Sequence, residues 1–137
     1  MTRYLSAEQV LLIHERVLAL FGGESGLLSY SLLDSACQRP QATFEGKELY
    51  TSLFAKAAAL GHSLVLNHPF VDGNKRTAWE AMKRFLGENG YHLKAAPDEI
   101  VSFMLDIAQK KLSIDQIANW LAQHSSQMEK QGTLAPL

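Results

Sequence analysis

The sequence has a single cysteine, Cys37, and almost no net charge, since 13 Lys and Arg residues face 14 Asp and Glu residues. One cysteine excludes an intrachain disulfide and a zinc site built on several thiolates. A net charge of −1 argues against direct nucleic-acid binding through a broad basic surface. The chain also lacks an apolar run near the ~20 residues that a membrane span needs, and its N-terminus lacks the pattern of a secretory leader. We therefore expect a cytoplasmic protein that contacts neither membrane nor nucleic acid.

Apolar residues recur at helical spacing along most of the 137 residues, a length typical of one domain. Ser6 and Gln9 match a capping box at the start of the first helix, and Gly22 and Gly23 end it. The third helix is apolar on nearly every side, which is typical of a central, buried helix. The sequence thus predicts an all-α domain of five or six helices around a central one. The predicted helices are residues 6–21, 31–38, 49–67, 74–89, 97–110 and a last one that begins at Ser113.

The segments outside these helices are short. Residues 41–48 have no helical period, and Gly46 favours a turn, so we expect a surface loop or small flap before the third helix. No run of residues is long enough to predict a β-sheet. The helical pattern stops at residue 123, and Gly132 and Pro136 lie beyond it. We predict a folded domain over residues 1–123 and a flexible C-terminal tail over residues 124–137.

The ten residues from His68 to Thr77, H-P-F-V-D-G-N-K-R-T, interrupt the helical pattern. Pro69 disfavours the helical conformation for the residue before it, so the third helix should end there and leave the His68 imidazole at its exit. Residues 72–74 have the composition of a turn, and their aspartate or asparagine could cap the fourth helix.

Lys75 and Arg76 stand in the first turn of the predicted fourth helix, where cations are unfavourable. A helix start carries partial positive charge, so each cation there costs about 0.3–1 kcal/mol unless an anion is bound. Free backbone N–H groups beside a glycine, a lysine and an arginine are typical of a phosphate site at a helix N-terminus. Local conflicts of this kind are expected mainly at functional sites. The loop is not a Walker A motif, because it lacks G-x-x-x-x-G-K and no strand precedes it.

The neighbouring residues fit the same chemistry. Asp72 is a hard oxygen ligand suited to Mg²⁺ shared with substrate phosphates, and His68 could take a proton from an attacking hydroxyl. Phe70 is predicted to anchor the loop to the core. A base, a metal ligand and a phosphate site within ten residues indicate phosphoryl or nucleotidyl transfer. Taken singly, each polar residue is better explained as a helix cap, a solvated cation or a helix-end histidine, and only their combination favours catalysis.

Other residues that could carry chemistry have structural interpretations. Cys37 is predicted to be a small buried hydrophobic residue. The remaining histidines, His14 and His62 among them, are predicted to be structural or solvent-facing. Trp79 and Trp120 are predicted to be core or interface aromatics.

The segment from His68 to Arg76 resembles the motif of the Fic/Doc superfamily, H-P-F-x-[DE]-G-N-G-R-x-x-R, with one change. Lys75 stands where Fic proteins have their second glycine, and this lysine is the mark of the death-on-curing branch, the toxins of toxin–antitoxin pairs. The resemblance spans roughly residues 4–123, and a single all-helical domain of this length is usual in that branch.

The resemblance implies a protein kinase that transfers the γ-phosphate of ATP to a Ser or Thr hydroxyl of a translation factor, elongation factor Tu, and so stalls translation. It implies that His68 is the base and that Asp72 holds Mg²⁺. It also implies a phosphate-binding role for the next four residues, Gly73, Asn74, Lys75 and Arg76.

Two departures from the Fic pattern bear on the reaction. Trp79 replaces the second Fic arginine, which weakens a role in AMP transfer, whereas Gly73 is Fic-like and leaves AMP or other nucleotidyl transfer as the alternative. The Fic self-inhibitory motif, [ST]-x-x-x-E-[GN], is absent at both Glu-Gly and Glu-Asn pairs, Glu45-Gly46 and Glu88-Asn89. A separate antitoxin would then have to inhibit the chain, through a segment that docks on exposed apolar residues. A third possibility is a non-catalytic module that only binds a partner or an anion.

Overall fold

A computed structural model describes residues 1–129, and this part of the chain folds into six α-helices and two short β-ribbons. The all-α fold predicted from the sequence is confirmed. The helices are α1 (Ala7–Phe21), α2 (Tyr30–Gln38), α3 (Leu53–Asn67), α4 (Asn74–Glu88), α5 (Pro97–Ala108) and α6 (Ile114–Gln123). The strands are β1 (Thr43–Phe44), β2 (Lys47–Glu48), β3 (Tyr91–Leu93) and β4 (Ser125–Gln127), and a 3₁₀ turn covers Arg39–Gln41.

Helix α3 is the central helix, as its sequence predicts. It contacts α2, α4, α5 and α6, and nine of its fifteen residues are buried. Small residues allow this close packing: Gly61 has α4 directly against its backbone, and a Cβ at that position would overlap the Met82 side chain. The loop that leaves the C-terminal end of α3 is therefore attached to a buried, closely packed helix.

Serine side chains fix several helix starts. The predicted capping boxes are present, with Ser6 accepting from the Gln9 N–H and Ser113 accepting from the Gln116 N–H. Helix α3 begins at Leu53, four residues later than predicted, because Ser52 caps it and the residues before Ser52 belong to the segment that follows the flap.

The predicted flap is a small hairpin in which β1 pairs with β2. Two basic residues tie its base to α3. Lys56 is 3% exposed, and its Nζ donates to the Glu48 carboxylate at 3.1 Å and to the Tyr50 carbonyl. Arg39 donates to the Tyr50 hydroxyl at 3.0 Å, to Ser63 Oγ at 2.8 Å and to His62 Nδ1 at 2.9 Å.

The expectation of no sheet was wrong, because β3 and β4 pair antiparallel, with Leu93 opposite Ser125. Each strand has only three residues, too few for a period-2 pattern to show in the sequence. Regular structure therefore continues past residue 123 into the segment predicted as a flexible tail. The rest of that predicted tail, residues 130–137, lies outside the described residues.

Aromatic side chains join α4, α5 and α6. Phe103 stacks on Trp120 at 3.8 Å between ring centroids, Trp120 stacks on His124 at 3.6 Å, and Trp79 meets both Phe103 and Trp120 edge-on. Trp79 is 6% exposed, which confirms it as a core aromatic. Cys37 is also buried, as predicted, and burial raises the pKa of its thiol to about 12. Across residues 1–129 no helix combines the length and the apolar character that a bilayer crossing demands.

Candidate active site

The segment between α3 and α4, residues 68–73, is called the motif loop here. It begins where predicted: α3 ends at Asn67, and His68 takes the left-handed conformation, with φ 49° and ψ 56°. For a residue other than glycine this conformation costs about 1–2 kcal/mol. The His68 side chain is exposed at the end of the buried helix. The structure thus places an imidazole at the protein surface, at the end of a buried helix.

The segment between α1 and α2, residues 22–29, holds the motif loop by backbone hydrogen bonds, and it is called the glycine loop below. The Leu28 N–H donates to the Pro69 carbonyl at 2.7 Å, and the Val71 N–H donates to the Gly26 carbonyl at 3.0 Å. Leu27 and Phe70 form an isolated antiparallel bridge. Two irregular segments therefore share a short ladder, which gives the motif loop a defined backbone despite its exposure.

Phe70 and His14 form the buried side of the motif loop. Phe70 is 1% exposed, and the two rings stack in parallel with centroids 3.8 Å apart. His14, on α1, is 5% exposed, and its Nε2 donates to the Asp72 carbonyl at 2.8 Å. His14 has the structural role predicted for it, but its contact with the motif loop has no sequence signal, because the partners are 58 residues apart.

The Asn74 side chain is buried and binds the backbone of Phe70 at both ends. Its Oδ1 accepts from the Phe70 N–H at 3.0 Å, and its Nδ2 donates to the Phe70 carbonyl at 2.8 Å. Neither Asp72 nor Asn74 caps α4; the N-cap is Gly73, in a left-handed conformation with φ 77°. This corrects the capping prediction. Asn74 thus fixes the backbone of Phe70 through Oδ1 and one of its two Nδ2 hydrogens.

Asp72 presents an exposed carboxylate beside the start of α4. Its Oδ2 accepts from the Glu24 N–H at 3.1 Å and its Oδ1 accepts from the Gly73 N–H at 2.8 Å. These two N–H groups, that of Glu24 first, hold the pKa of the Asp72 carboxyl below its ordinary value. The group is therefore ionised near neutral pH, as a metal ligand must be.

The Asp72 carboxylate suits Mg²⁺ of the kind that is shared with a substrate. Each oxygen accepts one protein hydrogen bond and keeps further lone-pair capacity. Within residues 1–129 there is no cluster of three or more His, Cys, Asp or Glu side chains that could enclose a metal by themselves. Mg²⁺ held by one carboxylate, with phosphate and water supplying the other ligands, matches this donor set.

The positive charge at the start of α4 has no anionic partner among the described residues. The first helical hydrogen bond is donated by the Thr77 N–H to the Gly73 carbonyl at 2.9 Å, so the three preceding N–H groups have no partner within the helix. Lys75 and Arg76 are both exposed, and within the described part of the chain neither pairs with a carboxylate. The first turn contains no acidic residue. An anion is the group that this arrangement lacks.

The Arg76 guanidinium lies over the Phe21 ring, with Cζ 3.7 Å from the ring centroid. Phe21 is the last residue of α1, and the glycine loop follows it directly. This contact places one face of the guanidinium on an apolar surface and leaves its N–H groups available at the edge.

A groove of about 490 Å³ is lined by α1, α4, β3 and Met128. Phe21 lines it, so the groove reaches the residue on which Arg76 stacks. Four of the apolar side chains that line it are strongly exposed, namely Leu12, Leu20, Phe21 and Met128. The groove is separate from the motif loop, whose residues are not part of its lining.

The predicted site residues fall into one continuous segment of the chain. The structure places His68, Asp72, Lys75 and Arg76 on the surface and Phe70 and Asn74 beneath it. An imidazole, a carboxylate and a helix start with two cations form the parts needed to transfer a phosphorus-bearing group. Sequence reasoning missed the contribution of the glycine loop, because Gly22-Gly23 was interpreted only as a helix stop.

Comparisons with known proteins agree with the motif. The sequence profile of the Fic/DOC family matches residues 4–86. The chain is 46% identical over 124 residues to Toxin Doc of Mycolicibacterium smegmatis, covering 89% of this chain and 93% of that protein. It is 28% identical over 119 residues to Protein kinase doc of Escherichia phage P1, covering 87% of this chain and 93% of that protein. The family predicted from the sequence is confirmed, and the chain belongs to the Fic/DOC family.

Proposed function

We propose that this protein is the toxin of a toxin–antitoxin pair and acts as a cytoplasmic protein kinase. It transfers the γ-phosphate of ATP to a Ser or Thr hydroxyl of a translation factor, elongation factor Tu, and thereby stalls translation. The observation that carries this proposal is the start of α4, where Lys75 and Arg76 lie beside unpaired backbone N–H groups and have no acidic partner among the described residues.

Each site residue has one task in the proposed reaction. The Arg76 and Lys75 side chains and the N–H groups of α4 donate to phosphate oxygens of ATP. The target hydroxyl oxygen bonds to the γ-phosphorus as the bond from that phosphorus to the β–γ bridging oxygen breaks, and ADP leaves. The hydroxyl proton passes to a ring nitrogen of His68. Asp72 would hold Mg²⁺, which supplies charge neutralisation on the phosphates when bound.

Three observations favour γ-phosphate transfer over AMP transfer. Lys75 fills space that the second Fic glycine would leave open. Trp79, which replaces the second Fic arginine, is buried in the aromatic cluster and brings no charge to the site. One relative carries the name protein kinase.

The Fic-like Gly73 does not favour AMP transfer. Its left-handed φ of 77° explains the glycine, and the nearest atoms to a Cβ at this position would be at ordinary contact distance, 3.6 Å or more. The backbone conformation thus accounts for Gly73 without any requirement from the nucleotide.

The groove between α1 and α4 supports the second half of the proposal, a cognate antitoxin. Its exposed apolar lining suits one face of an amphipathic helix, and its sides carry Arg16 and Lys83 against Glu80. We propose that an acidic, amphipathic segment of the antitoxin occupies this groove. Because Phe21 lines the groove, the bound segment would contact the residue on which Arg76 rests.

The reaction is tested by incubating the purified protein with elongation factor Tu, Mg²⁺ and ATP labelled at either the α- or the γ-phosphate. We expect label on the factor from γ-labelled ATP only, and we expect the His68→Ala variant to transfer none. His92→Ala is the matched control, since His92 is an exposed histidine on β3 outside the motif loop.

The labelling pattern separates the alternatives. Label from the α-position would replace the kinase by a nucleotidyl transferase. A protein that binds neither ATP nor Mg²⁺ in calorimetry, yet forms a tight antitoxin complex, would be a binding module. A His68→Ala variant that arrests growth as strongly as the unchanged chain would refute catalysis at this site.

The groove is tested by co-purification with the cognate antitoxin. Leu20→Asp puts a charge on the apolar lining and should abolish the complex. Leu105→Asp, at an exposed leucine on α5 outside the groove, should leave it intact. Equal loss in both variants would refute the groove as the docking site.

A further inference from the structure

The glycine loop lies directly against the Asp72 carboxylate, and the ending of helix α1 does not by itself require this contact. Gly22, the C-cap of α1, already ends the helix and has nothing within 4 Å of the position where a Cβ would stand. Gly23 is different, because a Cβ there would lie 2.8 Å from Asp72 Oδ2 and 3.3 Å from Asp72 Cγ. Its φ of 118° also disfavours any other residue. The second glycine thus makes room for the carboxylate.

The next residue supplies a hydrogen bond to the same oxygen. The Glu24 N–H donates to Asp72 Oδ2 at 3.1 Å, while Oδ1 accepts from the Gly73 N–H at 2.8 Å. Two backbone donors from two different loops therefore hold the two carboxylate oxygens. An exposed aspartate bonded only to the N–H of the next residue could still rotate its side chain. In Asp72 both carboxylate oxygens accept a hydrogen bond, which restricts that rotation.

The glycine loop is itself fixed to the motif loop, so the contact with Asp72 is not incidental. The bonds from Leu28 to Pro69 and from Val71 to Gly26 lie beyond the carboxylate along the same two segments. Gly26 also lies close to the motif loop, since a Cβ there would be 2.7 Å from Val71 Cγ2. The two loops pack as one unit, with Asp72 at its edge.

We propose that Gly23 is a positioning residue, which lets the Glu24 N–H orient the Asp72 carboxylate for Mg²⁺. This inference rests on the proposed function only for the identity of the ion. The proposed contact replaces a freely rotating carboxylate by one whose remaining lone pairs face a fixed direction. Groups that orient a metal ligand in this way typically change metal affinity by about 10- to 100-fold when they are lost.

The chain offers a matched pair of variants. Gly23→Ala introduces a Cβ against Asp72, together with the strain of a positive φ. Gly22→Ala introduces the same atom and a similar strain, at φ 82°, into open space. A Cβ at position 23 would also lie 3.1 Å from Leu18 Cδ2, so comparing the two variants separates these side-chain contacts from the backbone effect, and the Glu24 amide reports on the carboxylate itself.

We expect Gly23→Ala to raise the Mg²⁺ concentration needed for half-maximal γ-phosphate transfer by about 10-fold or more, with kcat at saturating Mg²⁺ largely retained. Gly22→Ala should change this concentration by no more than about twofold. In the protein without Mg²⁺ or ATP, NMR should show the Glu24 amide proton moving upfield in Gly23→Ala and staying in place in Gly22→Ala, because only the first loses its bond to the carboxylate.

The NMR readout keeps the inference testable if the protein proves not to transfer phosphate. A Glu24 amide unmoved in Gly23→Ala would overturn the inference, and so would equal Mg²⁺ dependence in the two variants. Absence of transfer by the unchanged protein would count against the proposed function alone. Should Gly23→Ala fail to fold, Glu24→Pro removes the donated N–H without adding an atom at position 23, and it should show the same change in Mg²⁺ dependence.

Discussion

Two pairs of basic residues, Arg39 with Lys56 and Lys75 with Arg76, have opposite surroundings in this protein. Lys56 is buried, Arg39 is half-buried, and both donate hydrogen bonds to partners near the flap. Lys75 and Arg76 are exposed and have no carboxylate partner among the described residues, although they stand at a helix start that disfavours cations.

This difference separates structural charge from functional charge. A buried cation must be paired, and the partners of Lys56 and Arg39 explain their positions without any ligand. Among residues 1–129 neither Lys75 nor Arg76 forms an ion pair, and the Phe21 ring is the contact that Arg76 makes. Their positions raise the energy of the unliganded protein, which is expected where an anion lowers it again. Removing each charge should therefore affect stability in one pair and activity in the other.

The largest effect is expected from Arg76→Ala, which should reduce γ-phosphate transfer by about 10²–10³-fold, the usual loss when one donor to a charged transition state is removed. Stability should hardly change. The lost contact with Phe21 is worth about 0.5–1 kcal/mol at an exposed site. Relief of the unfavourable charge at the helix start returns about 0.3–1 kcal/mol. Transfer assays and urea unfolding of the same preparation measure both quantities.

Either of two results would contradict the proposed difference between Arg76 and the buried cations. A variant that transfers phosphate at the unchanged rate would show that Arg76 is only a surface cation. A variant that unfolds much more readily would show that its contact with Phe21 is structural.

The second effect is a loss of stability in Lys56→Met, which keeps the length of the buried side chain and removes its charge. Glu48 is more than half exposed and can return to water, so the main cost is the Tyr50 carbonyl left without its donor. That cost is about 1–3 kcal/mol. Urea unfolding should show it, while Lys47→Met, on the exposed side of the flap, should unfold like the unchanged protein. Equal unfolding of both variants would contradict a structural role for Lys56.

The same contrast shows which parts of the structure the sequence could predict. The starts of α1 and α6 follow from local capping pairs, Ser6 with Gln9 and Ser113 with Gln116. The motif loop was recognisable because its polar residues are contiguous. These features depend on residues within about one helical turn of one another, which is the range that a pattern reports.

What the sequence did not predict depends on contacts between distant segments. The burial of Lys56, the ring of His14 beneath Phe70 and the pairing of β3 with β4 join residues brought together only by the fold. Gly23 is the instructive case, since a glycine pair after a helix is fully explained by helix termination. Only the proximity of Asp72 gives the second glycine a reason of its own.

A third prediction concerns pH and the cluster around Arg39. Its guanidinium donates to His62 Nδ1 at 2.9 Å, so that nitrogen must be unprotonated. Burial, and next the Arg39 charge, lower the pKa of His62 below its ordinary value of 6.5. As the pH falls below about 6.5, the unfolded chain takes up a proton on His62 before the folded chain does. The free energy of unfolding therefore decreases until the pH reaches the lowered pKa of the folded state.

His62→Gln should reduce this loss, because a glutamine oxygen can accept from Arg39 and does not titrate. The measurement is the urea midpoint between about pH 7.5 and about pH 5.5, compared for the two proteins so that other titrating groups cancel. An equal decrease of the urea midpoint in both proteins would show that protonation of His62 does not contribute to the pH dependence of stability.

The smallest effect is expected at a cation that is exposed but does have a carboxylate partner. Arg84 Nε lies 2.9 Å from Glu88 Oε1, four residues further along α4, and the arginine side chain is 55% exposed. Solvent weakens such a pair, and the acid lies on the less favourable, C-terminal side, so Arg84→Ala should cost no more than about 0.5 kcal/mol. Its transfer activity, measured without antitoxin, should match that of the unchanged protein. Arg84 and Arg76 are both exposed arginines on α4. A large activity loss in Arg84→Ala would therefore mean that positive charge anywhere along this helix affects transfer, and the first turn would have no special role.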